Sequence, residues 1–242
     1  MNKVEEAIHY AVDAHAGMFR DSTRIPYILH PLEAAAIAAA LTDDQDIVAA
    51  AVLHDVVEDT DRSMGEIRSR FGERVAHFVD CDTENKRPEL PSEETWQIRK
   101  QETLDRIPKL SDDELIVVFA DKLANLRSIW NDYLTIWEEF WKRFSQPDPD
   151  GQLWYYHGIF DACERLGDSP LYWEYKWRLS EIEKRVREYK EFGRHEENAL
   201  EVLSTPGDNK WVLRKPHSSE VYTLTDEQFE QFVNEICHDS GK

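Results

Sequence analysis

Apolar positions recur at intervals of three and four residues along most of this chain. Val4, Ala7, Ile8, Ala11 and Val12 fall on one stripe, which predicts an amphipathic helix over 3–16. "HPLEAAAIAAAL" follows, where Pro31 at a first helical position and the alanines behind it predict a second. A third runs from Asp44 to His54, and Ser63 with Glu66 has the spacing of a capping box that opens a fourth, closed at Gly72. Shorter helices fit 73–79 and 92–104. The box recurs at Ser111 and Glu114, and the segment behind it, "LIVVFADKLANLRSIW", is apolar on most sides and therefore central. "SQPDPDG" at 145–151 interrupts the pattern, after which helices are predicted over 152–166 and 170–192, ended by Gly167 and Gly193.

The last fifty residues or so change character. "KWVLRKPHSSEVYTLT" holds two strand-like runs around a polar turn, and "TDEQFEQFVNEI" opens with another capping box. These patterns predict helices along most of residues 1–194 and a small strand-strand-helix appendage over 195–242.

Composition narrows the class. No apolar run approaches the ~20 residues that span a bilayer, and Met1–Tyr10, with two acids and one lysine, is unlike a secretory signal. A soluble, cytoplasmic protein is the expectation. Cys81, Cys163 and Cys237 are widely spaced and form no CxxC pair, which argues against a disulfide framework or a thiolate zinc site and reads them as reduced bystanders. A net charge of −20 disfavours nucleic-acid and anionic-membrane surfaces, which need a basic footprint. An anionic small molecule would then have to be held by a local cation cluster or a metal, against the field of the whole chain. Nothing in the composition speaks to the oligomeric state.

The densest chemistry lies in "LHDVVEDT", residues 53–60, where a histidine and three carboxylates interleave with Leu53, Val56 and Val57. Charge next to buried apolar residues is costly unless something compensates it. If the helix continues through this stretch, His54 and Glu58 share a face, as do Asp55 and Asp59. One nitrogen and one oxygen from His54 and Asp55 are too few to fix a cation. Two further donors stand out: His30, before Pro31 at a helix entrance, and Asp121, an acid inside an apolar helix. Two histidines and two carboxylates suit a divalent transition metal such as Mn²⁺ or Fe²⁺.

"PYILHP", "HDVVEDT" and "FADKLANLRSI", in that order, resemble the HD-domain metal-dependent phosphohydrolases. More narrowly they are similar to the hydrolase domain of the Rel/SpoT alarmone enzymes and their small stand-alone relatives, which remove the 3′-pyrophosphate of guanosine 3′,5′-bis-polyphosphates. The resemblance implies an all-α HD-domain bundle, a divalent ion (Mn²⁺, with Fe²⁺ or Zn²⁺ as other choices) held by His30, His54, Asp55 and Asp121, and a catalytic pair at Glu58 and Asp59. It also implies that Arg20 stacks on the guanine base and that Asn125 contacts the sugar. Asp21 follows Arg20 where relatives usually carry a lysine, and Arg24 is the cation nearest to restoring the charge. Lys86, Arg99 and Lys100 lie near the expected phosphate end, and Tyr155, within Trp154-Tyr155-Tyr156, is a candidate to close over the nucleotide. Lys122 and Arg127 are read as surface pairs, and His15 and His157 as without a role. No synthetase motif accompanies these boxes. Two other readings stand beside this one: an HD phosphohydrolase for NADPH or a nucleoside phosphate, and an idle nucleotide- or partner-binding module.

Overall fold

Two alanine-rich helices set the packing. In α2 (Leu29–Leu41) and α3 (Gln45–Leu53), Ala34, Ala35, Ala38, Ala49, Ala50 and Ala51 are all buried. A methyl group is the shortest apolar side chain, so helices lined with it pack at the close end of the roughly 8–10 Å range of interaxial distances. The computed structural model describes residues 2–20, 23–87, 89–136, 141, 143–188, 190, 201–204, 210–214, 221–225 and 227–229.

Helix α1 (Lys3–Ala14) is opened by a capping box between Asn2 and Glu5 and lies against α3. Leu53 ends α3, and after a turn at His54 and Asp55 the single helical turn α4 (Val56–Asp59) follows. Helices α5 (Met64–Phe71) and α6 (Glu73–Asp82) meet at Gly72, whose φ of 95° a side chain would strain. Next come α7 (Ser92–Arg106) and the long α8 (Asp112–Ile136). Leu115, Val117, Val118, Phe119, Ala120, Leu123, Ala124 and Leu126 of α8 are buried, and α8 packs against α2, α3 and α6. This is the central helix that its pattern predicts. Helices α9 (Pro149–Ala162) and α10 (Pro170–Glu188) pack on each other and on α8, and α9 also covers α7.

Two of the differences from the sequence reading have a plain physical reason. Helix α9 starts inside "SQPDPDG", because Asp148 accepts a hydrogen bond from the Asp150 amide and Pro149 occupies the first turn, where its missing N–H is harmless. The appendage contains a further strand: β1 (Glu201–Ser204) pairs antiparallel with β2 (Lys210–Arg214), which pairs antiparallel with β3 (Val221–Thr225). The strand-strand-helix expectation therefore gains a leading strand. Of its helix, Glu227–Phe229 are helical, and the rest lies outside the described residues.

Candidate metal centre and cleft

Three packed helices bring the predicted donors together. His30 comes from the first turn of α2, His54 and Asp55 from the break after α3, and Asp121 from the middle of α8. His54 is buried, and its Nδ1 lies 2.9 Å from the Ala51 carbonyl oxygen, an acceptor that only an N–H can satisfy. In the neutral ring the other nitrogen, Nε2, is then a bare lone pair. It sits 3.0 Å from Asp55 Oδ2 and 3.4 Å from Asp121 Oδ1, buried and without a hydrogen bond. His30 Nε2 mirrors it, 3.0 Å from Asp121 Oδ1 and 3.4 Å from Asp55 Oδ2.

Lone pairs facing carboxylates at this range repel unless a positive charge stands among them. Donor atoms about 2.1 Å from a common ion, at right or tetrahedral angles, are about 3.0–3.4 Å apart, the spacing found here. The titration behaviour points the same way. Burial opposes charge on His54, yet Asp55 and Asp121 outweigh it and raise its pKa well above the ordinary histidine value. Burial likewise opposes ionisation of Asp55, and His54 overrides it to hold that carboxyl below the usual range. The donor set fits a divalent cation, with the imidazole tautomer fixed by a backbone carbonyl as is usual for ligating histidines.

Asp121 is also held from its other side. Lys122 pairs with Asp121 Oδ2 and with Asp82 Oδ1, and Asn125 donates to Asp121 Oδ1 at 2.7 Å. Lys122 is buried, which corrects its reading as a surface pair: the lysine compensates two buried acids. Even so, burial pushes the Asp82 carboxyl up to about 6 against the pull of Lys122. Arg127 does pair at the surface, with Glu174 and Glu33.

Glu58 and Asp59 of α4 lie beside the donor set and line the same cleft. Burial raises the Glu58 pKa although the Glu84 amide donates to its Oε2 at 3.1 Å. Asp59 Oδ1 pairs with Lys86 Nζ at 2.5 Å, and the same ammonium lies 3.4 Å from Glu58 Oε1. Lys86 thus faces the acid pair. Tyr27, from the stretch before α2, places its hydroxyl 2.8 Å from Asp55 Oδ2 and 2.5 Å from Asp59 Oδ2, joining the donor set to the acid pair.

The cleft has three adjoining lobes, and Asn125 lines all of them. Arg20, Tyr27 and Tyr156 bound one, where the Arg20 guanidinium lies 5.9 Å from the Tyr27 ring centre and donates to Ser128 Oγ at 3.3 Å. Arg99, Lys100, Tyr155 and Trp96 bound another. Lys100 Nζ sits 4.9 Å over the Tyr155 ring, and Tyr155 is buried. Glu84 pairs with Arg99 at 2.8 Å and Lys100 at 2.7 Å. Burial opposes the Glu84 charge, but Lys100 and Lys122 prevail and bring its pKa down to about 2. Arg24 is exposed, and Arg87 pairs with Glu102 away from the cleft. Asp21 lies outside the described residues. His157 is at the surface near Glu183, whereas His15 is buried against Tyr27.

A family model described as "HD domain" matches residues 7–135, a span that contains every proposed metal donor and the acid pair. The chain belongs to the HD-domain family. A guanosine-3′,5′-bis(diphosphate) 3′-pyrophosphohydrolase of Aquifex aeolicus is 30% identical over 191 residues, covering 77% of this chain and 25% of the relative. The Danio rerio pyrophosphohydrolase MESH1 is 35% identical over 127 residues, covering 51% of this chain and 67% of its own. This chain therefore spans about a quarter of the first relative and two thirds of the second. A solved structure of a metazoan orthologue of SpoT, described as hydrolysing ppGpp, superposes with a TM-score of 0.59 at 26% identity over 76% of this chain and 96% of that one.

The sequence reading did not single out Tyr27, Asp82, Glu84 or Arg143 among the cleft residues. Tyr27 lies inside the motif "PYILHP", from which only His30 is read as a site residue. Asp82 and Glu84 carried no periodic signal, because their partners are 40 and 15 or 16 positions away.

Proposed function

We propose that this protein is a Mn²⁺-dependent pyrophosphohydrolase of guanosine 3′,5′-bis-polyphosphates, cleaving the 3′-pyrophosphate. The observation that carries the reading is the convergence of His30, His54, Asp55 and Asp121 in a cleft that an acid pair and a row of cations also line. The similarity to relatives named for that activity supports the substrate. A divalent ion held by these four side chains would lower the pKa of coordinated water towards neutrality and offset charge on the phosphate.

The remaining work falls to the chain itself. Glu58, with its pKa raised by burial, is matched to accept a proton from the attacking water and return it to the leaving oxygen. Asp59, tied to Tyr27 and Lys86, orients that water and keeps the local charge balanced. Water adds to phosphorus, the bond to the ribose 3′ oxygen breaks, and pyrophosphate leaves. Arg20 offers a guanidinium plane for a purine at one end of the cleft, and Asn125 at the junction of the lobes reaches the sugar. Arg99 and Lys100 supply cations for the phosphates at the other end, where Tyr155 forms the wall behind Lys100. Lys86 belongs to this reading as the cation nearest the acid pair.

The test is to offer the Mn²⁺-loaded protein guanosine tetraphosphate, NADPH and simple nucleoside phosphates. Pyrophosphate release from the tetraphosphate supports the proposal; orthophosphate from NADPH alone, or no turnover of any of them, overturns it. Glu58→Gln and Asp59→Asn should each lower kcat by about 10²- to 10⁴-fold while metal content stays that of the parent. Unchanged turnover would remove those residues from the mechanism.

A further inference from the structure

Away from the cleft, α6 and the start of α8 bring together a second set of donors. His77 and Cys81 are four residues apart on α6, so their side chains stack on one helical face. Glu114 of α8 reaches across to both. His77 Nε2 lies 2.7 Å from Glu114 Oε1, Cys81 Sγ lies 3.2 Å from the same oxygen, and Sγ is 3.8 Å from Nε2. The other oxygen of Glu114, Oε2, is engaged by the amide and the hydroxyl of Ser111, each at 2.6 Å. The helix cap therefore fixes the carboxylate with one oxygen left over, aimed at a thiol and an imidazole.

We propose that His77, Cys81 and Glu114 form a second metal site, for a borderline-soft divalent ion of the Zn²⁺ class, fastening α6 to the first turn of α8. Two hydrogens, N–H and S–H, converge on Glu114 Oε1, and one cation can take the place of both. An ion about 2.0–2.3 Å from each of three tetrahedral donors separates them by about 3.3–3.7 Å. Both contacts of the thiol already approximate that spacing, and the His77–Glu114 contact opens by about half an ångström once the proton between them is gone. A nitrogen, a thiolate sulfur and a carboxylate oxygen are a donor set zinc accepts and magnesium or calcium does not. The fourth position faces water, since the His77 side chain is 57% exposed.

Binding breaks the Cys81 S–H bond. The sulfur electron pair goes to the metal, the proton leaves to solvent, and the His77 ring proton resides on Nδ1. Without metal, burial and the negative charge of Glu114 push the Cys81 thiol up to about 12, so it is unreactive. A bound dication reverses that field. Sequence spacing pointed away from a thiolate site because it counted cysteine pairs. Here the second and third donors are a histidine one turn back and a carboxylate 33 positions on.

Co²⁺ titration of the full-length protein separates this site from the cleft, which among the described residues offers no sulfur. The expected result is a saturable near-ultraviolet thiolate-to-cobalt band that Zn²⁺ displaces, that Cys81→Ser abolishes and that His77→Ala weakens at least about tenfold in half-saturation. A wild-type protein with no band at saturating Co²⁺, or a band that survives Cys81→Ser, overturns the site. If the serine variant does not fold, the wild type still decides the matter.

Discussion

Tyr27 has one hydroxyl hydrogen and two carboxylates within reach, Asp55 and Asp59. It therefore joins a proposed metal donor to a proposed catalytic acid, and burial together with those two charges raises its pKa far out of the working range. Tyr27→Phe keeps the ring against His15 and His30 and removes only that link. Metal affinity measured by calorimetry should fall about ten- to a hundredfold, the usual cost of losing support behind a ligand, with a larger fall in turnover; an affinity equal to the parent's would show that Asp55 needs no such support. At this scale the sequence was informative where chemistry is adjacent or out of place. His54-Asp55 is a pair in a single octapeptide, and Asp121 is an acid on an apolar helix, so both announce themselves. Lys122 did not, because a lysine beside an acid on a helix is ordinary at a surface. Only the packing of α6 on α8 reveals that it neutralises Asp82 and Asp121 in the interior.

At the scale of elements, helical periodicity and caps located most helices. The capping boxes of Ser63–Glu66 and Ser111–Glu114 are local codes that the structure uses as written. The break after Leu53 was open in the sequence, since Val56 and Val57 continue the apolar pattern. Tertiary packing decides it, turning His54 and Asp55 together towards His30 and Asp121. Strand β1 was missed because "EVLS" follows an acidic, helix-favouring stretch and gains its partner only from β2. One element depends on electrostatics more than on pattern. Helix α7 is joined to the segment after α6 by Glu84, whose partners Arg99 and Lys100 are themselves mostly buried. With its pKa near 2 in the folded chain and about 4.3 unfolded, Glu84 contributes about 3 kcal/mol. Because the folded value is the lower one, that stability is complete above the unfolded pKa and disappears as pH falls through about 2. Glu84→Gln should therefore cost about 3 kcal/mol in urea unfolding at neutral pH, with the gap to the parent narrowing below about pH 4. A gap independent of pH would assign the loss to packing instead.

For the whole molecule, charge and topology constrain function together. A chain with a net charge of −20 repels a polyanionic nucleotide at long range, so the cations lining the cleft and the proposed ion have to prevail locally, within about a Debye length of 8–10 Å. Those groups are supplied by residues between Arg20 and Tyr156, and the buried apolar residues among those described run from Ala7 to Val186. The three-stranded sheet of 201–225 gives no residue to the cleft among the described residues. We therefore propose that 1–194 is a hydrolase domain complete in its chemistry and that 195–242 is a separate appendage, the division that the change in sequence pattern near residue 195 suggested. A chain ending at residue 194 should then unfold in one cooperative step, bind metal as the parent does and keep kcat/KM within about threefold, under ~0.7 kcal/mol in the barrier. If the shortened chain folds and takes up metal but loses activity by more than about a hundredfold, nearly 3 kcal/mol, the appendage takes part in substrate binding and the division at 195 is wrong. If it fails to fold at all, the sheet belongs to the hydrophobic core of the bundle, and the chain is a single unit.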